Sequence, residues 1–277
     1  MKVSVILVSH NMCKLLRQTL GALSQSIKNI EAEVILVDNC SDDQTIETVM
    51  KEFPNVRLTT ATVCKGLSRS INQGIKMASG EYVLLLSPDV ITKTKTIKNA
   101  VDFMDAHPLA GGVSVRMLDA EGNYMPESKK VLPRTWVTFF KMTGLLKQFS
   151  KSRLTEHYTA RHDDEFDTTE TDVLSDKFML IRRSVIDNVG LLDERFIRYG
   201  ANIDLSHRIR LSGFKNYYFP KTYIINLQHD RLEKLSWEHL KSFYGAMFIF
   251  AVKYIFRLPA MHVKPVQDLY PAYEFKG

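Results

Sequence analysis

The sequence predicts an α/β protein built on a mostly parallel sheet flanked by helices, with an aromatic helix towards its C-terminal end. Three observations predict it. Between Val3 and Val115, short apolar runs alternate with segments whose apolar residues recur at helical spacing, as in strands joined by crossover helices. The runs are continuous rather than alternating, as expected of strands covered on both faces. Three of them end in polar clusters, Ser9-His10-Asn11, Asp38-Asn39 and Ser87-Pro88-Asp89, and open α/β sheets bind ligands outside the carboxyl ends of their strands.

In chain order, Val3 to Val8 reads as the first strand. Met12 to Ile27 carries Leu15, Leu16, Leu20 and Leu23 on one helical face. Val34 to Val37 is a second strand, Asp43 to Phe53 a helix stopped by Pro54, and Val56 to Leu58 a third strand. Leu67 to Ala78 is a helix closing at Gly80, and Tyr82 to Leu86 is a fourth strand stopped by Pro88. A helix over Thr92 to Ala106 and a strand over Gly111 to Val115 follow. Asp119 to Thr171, with Gly122, Pro126, Pro133 and the acidic patch Asp163-Asp164-Glu165, reads as an insertion or mobile loop. Regular structure returns at Val173: a strand at Lys177 to Ile181, a helix at Asp204 to Leu211, and strands at Tyr217 to Phe219 and Tyr223 to Ile225 around Pro220. Trp237 to Phe256 reads as one long helix bearing Phe243, Tyr244, Phe248, Phe250 and Tyr254, with Lys241, Lys253, Arg257 and Lys264 in or beside it. It suits an interfacial helix on an anionic membrane and equally a helix packed on the sheet or in a homodimer.

With 277 residues, 45% of them hydrophobic, the chain can bury a sizeable core. Lys plus Arg exceeds Asp plus Glu by 37 to 31, a formal +6. That excess fits a phosphate-bearing ligand, an anionic membrane surface or a plain solvated surface. Nucleic acid is not an expected partner, because no dense Lys/Arg stripe with interleaved aromatics occurs. Cys13, Cys40 and Cys64 form no CxxC pair, which argues against zinc, and their odd, low number points to a reducing cytosol. The opening apolar run is too short for a secretory signal and no run of 18 apolar residues occurs, so a cytoplasmic protein is expected. No glycine stands between Ser9 and Gly21, and neither GxxxxGK[ST] nor GxSxG is present. Dinucleotide oxidoreductases, P-loop NTPases and serine hydrolases are therefore poor readings.

Four blocks carry a family resemblance. "VSVILVSHN" and "VILVDNCSDD" resemble the first two strands and the nucleotide-binding turn of family 2 glycosyltransferases of GT-A (Rossmann-like) fold. "KGLSRSINQGIKMASGEYVLLLSPD" is similar to their third block, a helix plus the metal-site strand. "LIRRSVIDNVGLLDERFIRYGANIDLSHRIRLSGFKNYYFP" resembles the acceptor-side block of the bacterial rhamnosyltransferase-like subtype. The resemblance implies a nucleoside diphosphate sugar donor, a divalent metal (Mn2+ or Mg2+) bridging its phosphates, and a carboxylate that deprotonates an acceptor hydroxyl, with inversion at the anomeric carbon. The departing diphosphate needs a cation beside it and the hydroxyl needs a base. A glycan or lipid-linked acceptor is implied, in cell-surface polysaccharide or glycoconjugate assembly, at most peripherally on the inner face of the membrane. The domain expectation is a unit over 1–232, with a nucleotide-sugar half (1–118) and an acceptor half (119–232), then a helix and tail over 233–277.

Residue by residue, Asp38 matches the acid that accepts a hydrogen bond from the nucleotide base; its alternative is a turn-forming Asp that caps the next helix. Ser9, Asn11 and Asn39 match the loops around the nucleoside. Lys65, Gly66, Arg69 and Asn72 lie in the block that approaches the diphosphate, where Lys65 and Arg69 also suit plain solvated charges. Ser87-Pro88-Asp89 stands where relatives often have Asn-Pro-Asp, so Ser87 falls on the donor side and Asp89 at the metal.

The resemblance also exposes departures. Relatives commonly read Glu-Asp-x-Asp after an aromatic-Gly pair. Here Tyr199-Gly200 is followed by Ala201-Asn202-Ile203-Asp204, and an Asn amide cannot take a proton. Relatives often carry a metal-side His after the last strand. Here Asn226 ends that strand and His229 follows three residues later, so Asn226 and His229 are the candidate metal partners of Asp89. The candidate catalytic set is Asn202 at the base position with Asp204, Asp193 and Glu194, and Asp230 as a further replacement base. Two functions follow: a transferase, weak or altered, or a degenerate relative that binds a nucleotide-sugar or scaffolds an active partner.

Overall fold

A computed structural model of the chain describes residues 1–61, 63–129, 134–142, 165–197, 199–227 and 237–256. Its first half alternates as the apolar runs require: β1 (Val3–Ser9), α1 (Cys13–Ser26), β2 (Ala32–Asp38), α2 (Thr45–Glu52), β3 (Arg57–Thr60), α3 (Leu67–Met77) and β4 (Tyr82–Leu86). Next come β5 (Val90–Thr92), α4 (Thr96–Ala106) and β6 (Ala110–Leu118). The insertion contributes a 3-10 turn at Pro126–Ser128, α5 (Arg134–Met142) and β7 (Thr169–Thr171). The chain then forms β8 (Phe178–Arg182), α6 (Arg183–Val189), α7 (Ala201–Leu211), β9 (Lys215–Asn226) and α8 (Trp237–Ala251), which runs into a π-helical turn at Val252–Phe256.

The strands form one sheet in the order β3-β2-β1-β4-β8-β6-β9-β5, with β7 also on β9. Its first four neighbours are parallel. β8 enters antiparallel between β4 and β6, β6 pairs parallel with β9, and β5 and β7 run antiparallel to β9. The sheet is therefore parallel where it carries Ser9 and Asp38 and mixed beyond β4. Alternation within β1 supplies both faces: Val3, Val5 and Leu7 join the layer of α1 and α4, while Ile6 joins that of α3, α6 and α7. A third cluster joins Trp136 and Val137 of α5 to Phe196, to Ile203 of α7 and to Met247, Phe250 and Tyr254 of the C-terminal helix. So α8 packs one face on α5, α7 and Phe196, while Tyr244 and Phe248 on its other face are exposed.

Several expectations need correction. The helix expected from Thr92 starts at Thr96, because Thr96 Oγ1 accepts the Lys93 amide and donates to Tyr223 O, and Val90–Thr92 instead forms a strand on β9. Gly80 is not the stop of α3, which ends at Met77. It is needed for close approach, since a Cβ there would lie 2.5 Å from Ser4 N. Tyr217 to Ile225 is one strand; the β6–β9 register slips between Val115↔Phe219 and Arg116↔Tyr223, and that bulge accommodates Pro220. Cys40 and Cys64 are joined in a disulfide, which a reducing cytosol, read from the odd, low cysteine number, did not anticipate; Cys13 remains free.

Candidate functional site at the carboxyl edge of the sheet

The loops after β1, β2 and β3 hold one another. Asn11, in the left-handed region at φ 53, accepts the Asp42 amide on Oδ1 at 2.9 Å and donates its own amide to Ser41 Oγ at 3.0 Å. Asp38 is fully buried, and its two carboxylate oxygens accept Ser41 N at 2.9 Å and Ser41 Oγ at 2.6 Å. It thus holds the 38–41 turn. Asn39 clamps the next loop: Oδ1 accepts Lys65 N at 2.8 Å and Nδ2 donates to Lys65 O at 2.8 Å. The Cys40–Cys64 disulfide ties the same two loops. The network fixes Lys65 and Gly66 ahead of α3, with exposed Arg69 in the first turn. The Ser9 hydroxyl is buried here with no hydrogen-bond partner among the described residues.

Beside these loops, β4 delivers Ser87 and Asp89. Ser87 Oγ donates to Asp89 Oδ1 at 2.6 Å, and Asp89 Oδ2 accepts Lys177 Nζ at 2.7 Å. The Asp89 side chain is only 3% exposed and that of Lys177 18%. Asn226 is anchored next to them: Val90 pairs with it across β5–β9 and Leu227 N donates to Asp89 O. Asn226 Oδ1 is buried without a partner among the described residues. His229 and Asp230 lie outside the described residues. A hard dication prefers anionic oxygens. Here the Asp89 carboxylate already binds an ammonium and a hydroxyl, leaving the neutral Asn226 amide oxygen as the uncommitted donor. As arranged, the described residues of this set do not fit a divalent ion.

The region around α7 and the C-terminal helix is organised by buried charge. Asp204 is fully buried, with Oδ2 accepting Arg208 Nε at 2.9 Å and Oδ1 accepting Lys253 Nζ and Tyr254 OH, each at 2.7 Å. Burial, followed by the Asp204 charge, pushes the Tyr254 phenol far above its ordinary value. Asp204 cannot reach an acceptor hydroxyl, which corrects its place among the base candidates; it fastens the π-helical turn to α7. Asp193 accepts two hydrogen bonds from the Arg195 guanidinium, at 2.9 and 2.6 Å, and one from Lys253 at 3.0 Å. Burial alone would raise its carboxyl, but Arg195 and Lys253 outweigh this and hold it well below the usual carboxylate range. Glu194 differs. Its side chain is 46% exposed, accepts Asn72 Nδ2 at 3.2 Å and lies 3.9 Å from Arg69. Asn72 also holds Leu192 through its amide and carbonyl, which brings the Asp193-Glu194 turn onto α3. Asn202 donates from Nδ2 to Leu174 O at 3.0 Å.

Sequence reasoning missed Lys177, Ser41, Lys253 and the Cys40–Cys64 link. The signal for Lys177 was a charged residue directly before a strand buried at all five positions, Phe178–Arg182. The others depend on contacts between residues far apart in the chain or on a turn too local to announce itself.

The family model described as "Glycosyl transferase family 2" matches residues 4–190. An N-acetylglucosaminyl-diphospho-decaprenol L-rhamnosyltransferase of Mycobacterium tuberculosis H37Rv is 25% identical over 265 residues, covering 89% of this chain and 82% of its own. TarS of Staphylococcus aureus, a poly(ribitol-phosphate) beta-N-acetylglucosaminyltransferase, is 33% identical over 132 residues, 46% of this chain and 23% of its own. The crystal structure of TarS 1–349 with UDP-GlcNAc matches at a TM-score of 0.64 and 20% identity, covering 91% of this chain and 66% of that one. A mannosyltransferase of Pyrobaculum calidifontis solved with GDP-Man and Mn2+ matches at 0.58 and 20%, covering 83% of this chain and 58% of that one. The chain thus spans about two thirds or less of these solved structures, whose likeness speaks for the fold.

Proposed function

The chain belongs to glycosyl transferase family 2, and from that premise we propose that it is an inverting glycosyltransferase. It moves a sugar from a UDP- or dTDP-linked donor to a hydroxyl of a glycan or lipid-linked acceptor, in cell-surface polysaccharide or glycoconjugate assembly. The observation that carries this reading is the carboxyl edge itself. Ser9, Asn11, Asp38 and Asn39 sit in a fixed loop network with a buried hydroxyl, Ser9 Oγ, that has no partner among the described residues, and buried hydroxyls without partners are uncommon enough to ask for a ligand. Lys65, Gly66 and Arg69 at the N-terminus of α3 suit the diphosphate, and Ser87 and Asp89 flank the sugar-phosphate side. The rhamnosyltransferase and TarS relatives act, by their names, on a lipid-linked and a polymeric acceptor, which supports the acceptor classes.

In this reading 1–118 is the nucleotide-sugar half and 119–232 the acceptor half. Asn202 leaves the base position without a carboxylate, so turnover is weak, and Glu194, an exposed carboxylate of the acceptor block, is the inefficient replacement base. The exposed Tyr244 and Phe248 of α8, with Lys241, form the surface for a peripheral membrane contact or a homodimer. Incubation with a panel of nucleotide-sugars, with and without manganese, reads transfer and donor hydrolysis directly. Turnover with a UDP- or dTDP-sugar supports the proposal, and binding of several donors with no turnover on any acceptor overturns it. That second outcome is the degenerate binding relative, favoured by one observation: the residue at the base position, Asn202, has its amide committed to Leu174 O.

A further inference from the structure

We propose that His10, Cys40 and Cys64 form a redox-gated metal site, which takes a thiophilic divalent cation, Zn2+, once the disulfide is reduced. The site is separate from the Asp89 set and does not rest on the transferase reading. Three features carry it. First, the fold gathers ligand types that the sequence keeps apart. One ring nitrogen of His10 and the two sulfurs all lie within 4.8 Å of one another, although the cysteines are 24 residues apart along the chain. Second, the group is held by more than its own disulfide. Asn39 is the hub: its carbonyl accepts His10 Nδ1 at 2.9 Å, its amide donates to Ser9 O at 2.8 Å, and its side chain exchanges two hydrogen bonds of 2.8 Å with the Lys65 backbone. Cys40 and Cys64 are the chain neighbours of Asn39 and Lys65. Cys40 is also set in the left-handed region, at φ 59, by the turn that Asp38 closes onto Ser41. This clamp keeps the two cysteines close, at a Cα separation of 5.2 Å, when the S–S bond opens. Third, His10 and Cys64 are exposed and Cys40 is partly so, which lets a reductant and then an ion reach them, and exposed disulfides are the readily reduced ones.

The chemistry follows. A carbonyl oxygen only accepts, so Nδ1 carries the proton in the bond to Asn39 O, and the neutral ring keeps its lone pair on Nε2. An imidazole anchored through its other nitrogen is the usual arrangement of a metal-bound histidine. A dithiol reductant passes two electrons and two protons to the sulfurs: the S–S bond breaks, each cysteine ends as a thiol, and the reductant leaves as its own disulfide. Ion binding then releases those two protons to water and forms two metal–sulfur bonds and one metal–nitrogen bond. Two thiolates and one imidazole, with water in the fourth position, make a tetrahedral zinc set with Zn–S about 2.3 Å and Zn–N about 2.0 Å. Soft sulfur ligands select zinc over magnesium and manganese. The ion replaces the covalent tie between the loops after β2 and β3 by a coordinate one.

The test titrates the full chain with Co2+, a spectroscopic stand-in for zinc, without nucleotide and without air. The dithiol-reduced wild type is expected to show sulfur-to-cobalt charge-transfer absorption that saturates at a single equivalent and is erased by Zn2+. The oxidised chain should show none. Cys40→Ser and Cys64→Ser should each lose that absorption, while Cys13→Ser keeps it. His10→Ala should weaken binding at least about tenfold, with His10→Gln as the second variant should the alanine chain misfold. Zinc should also raise the denaturation midpoint of the reduced wild type and leave that of Cys40→Ser and Cys64→Ser where it was. A reduced wild type that binds no cobalt, folded or not, overturns the inference. So does equal binding by the oxidised chain, an absorption that vanishes in Cys13→Ser instead, or full affinity in both His10 variants. None of these outcomes touches the transferase reading, which is judged by turnover on nucleotide-sugars.

Discussion

Replacing Ala201 and Asn202 by Glu and Asp tests whether the site lacks only its base. The structural cost can be worked through first. Asn202 Nδ2 gives one partly buried hydrogen bond to Leu174 O at 3.0 Å, and losing such a bond costs about 0.5–1.5 kcal/mol. An aspartate would also face that carbonyl with a negative charge and must rotate away from it. Against this, both positions lie in the first turn of α7, which runs from Ala201 to Leu211 and has only Asp204 as an acid there. A carboxylate at a helix N-terminus gains about 0.3–1 kcal/mol. The stability change is thus within about 1 kcal/mol of zero, and the double variant should fold. A general base contributes a factor of about 10² to 10⁴, or about 3–5 kcal/mol of barrier, well above that cost. The assay is release of nucleoside diphosphate under saturating donor and acceptor, with the pH profile recorded. Turnover should rise about 100-fold or more, KM for the donor should stay put, and the gain should fade as the pH drops towards the aspartate range near 4. A folded double variant with unchanged turnover, beside an active wild type, would refute the reasoning and leave Glu194 as the base; Glu194→Gln should then abolish transfer.

The remaining predictions concern the scaffold around the site. Opening the Cys40–Cys64 disulfide, which closes a separation of 24 residues, should lower stability by about 3–4 kcal/mol and weaken nucleotide binding by loosening the Asn39–Lys65 clamp; an unchanged denaturation midpoint in Cys40→Ser/Cys64→Ser would contradict this. Lys253→Met strips one partner each from Asp193 and Asp204 and should cost about 3 kcal/mol, the low end for a broken buried pair because Arg208 and Tyr254 remain; chemical denaturation measures it, and no loss would mean that the pair is not holding the C-terminal helix. Glu33, 9% exposed at the far edge of β2, would be raised by burial alone, but hydrogen bonds from Ser79, Ser4 and Arg57 hold it lowered to about 2 from 4.5. Its stabilisation is therefore present above pH 4.5 and is lost as the pH falls towards 2; Glu33→Gln should flatten the fall of stability across that window, and an identical slope would rule the residue out.

Much of the fold was legible because its first half is a chain of local events. The apolar runs of β1, β2 and β4 are strands covered on both faces, and the intervening helices declare their faces at helical spacing. What stayed hidden is non-local or short. The three residues of β5 pair with β9 far along the chain, and the seven of α6 follow β8 without a break. Nothing in the sequence says that β8 inserts antiparallel between β4 and β6. The site was legible to the same degree. Ser9, Asn11, Asp38 and Asn39 follow strands and were visible as polar clusters, but the commitment of Asp38 to Ser41 is a side-chain detail of a tight turn. Asp204 looked like a candidate acid until Lys253 and Tyr254, some 50 residues later, arrived on it.

Two features of the site converge on one short stretch of backbone. Asn202 donates to Leu174 O, and three residues on, Lys177 reaches Asp89. Between them Ser175 N is pinned to Ser114 Oγ at 2.8 Å, and the Leu174 amide donates to Ser206 Oγ at 3.0 Å. Residues 174–177 therefore form a fixed bridge from the acceptor-side helix to the end of β4. An acid at 202 would repel the Leu174 carbonyl that Asn202 now binds, and any shift of that carbonyl is passed along a pinned segment to the Lys177 ammonium. Neighbours linked through one segment couple energetically by about 0.5–3 kcal/mol. That coupling makes the order of substitution informative: a base restored at 202 should act differently when position 177 is already neutral.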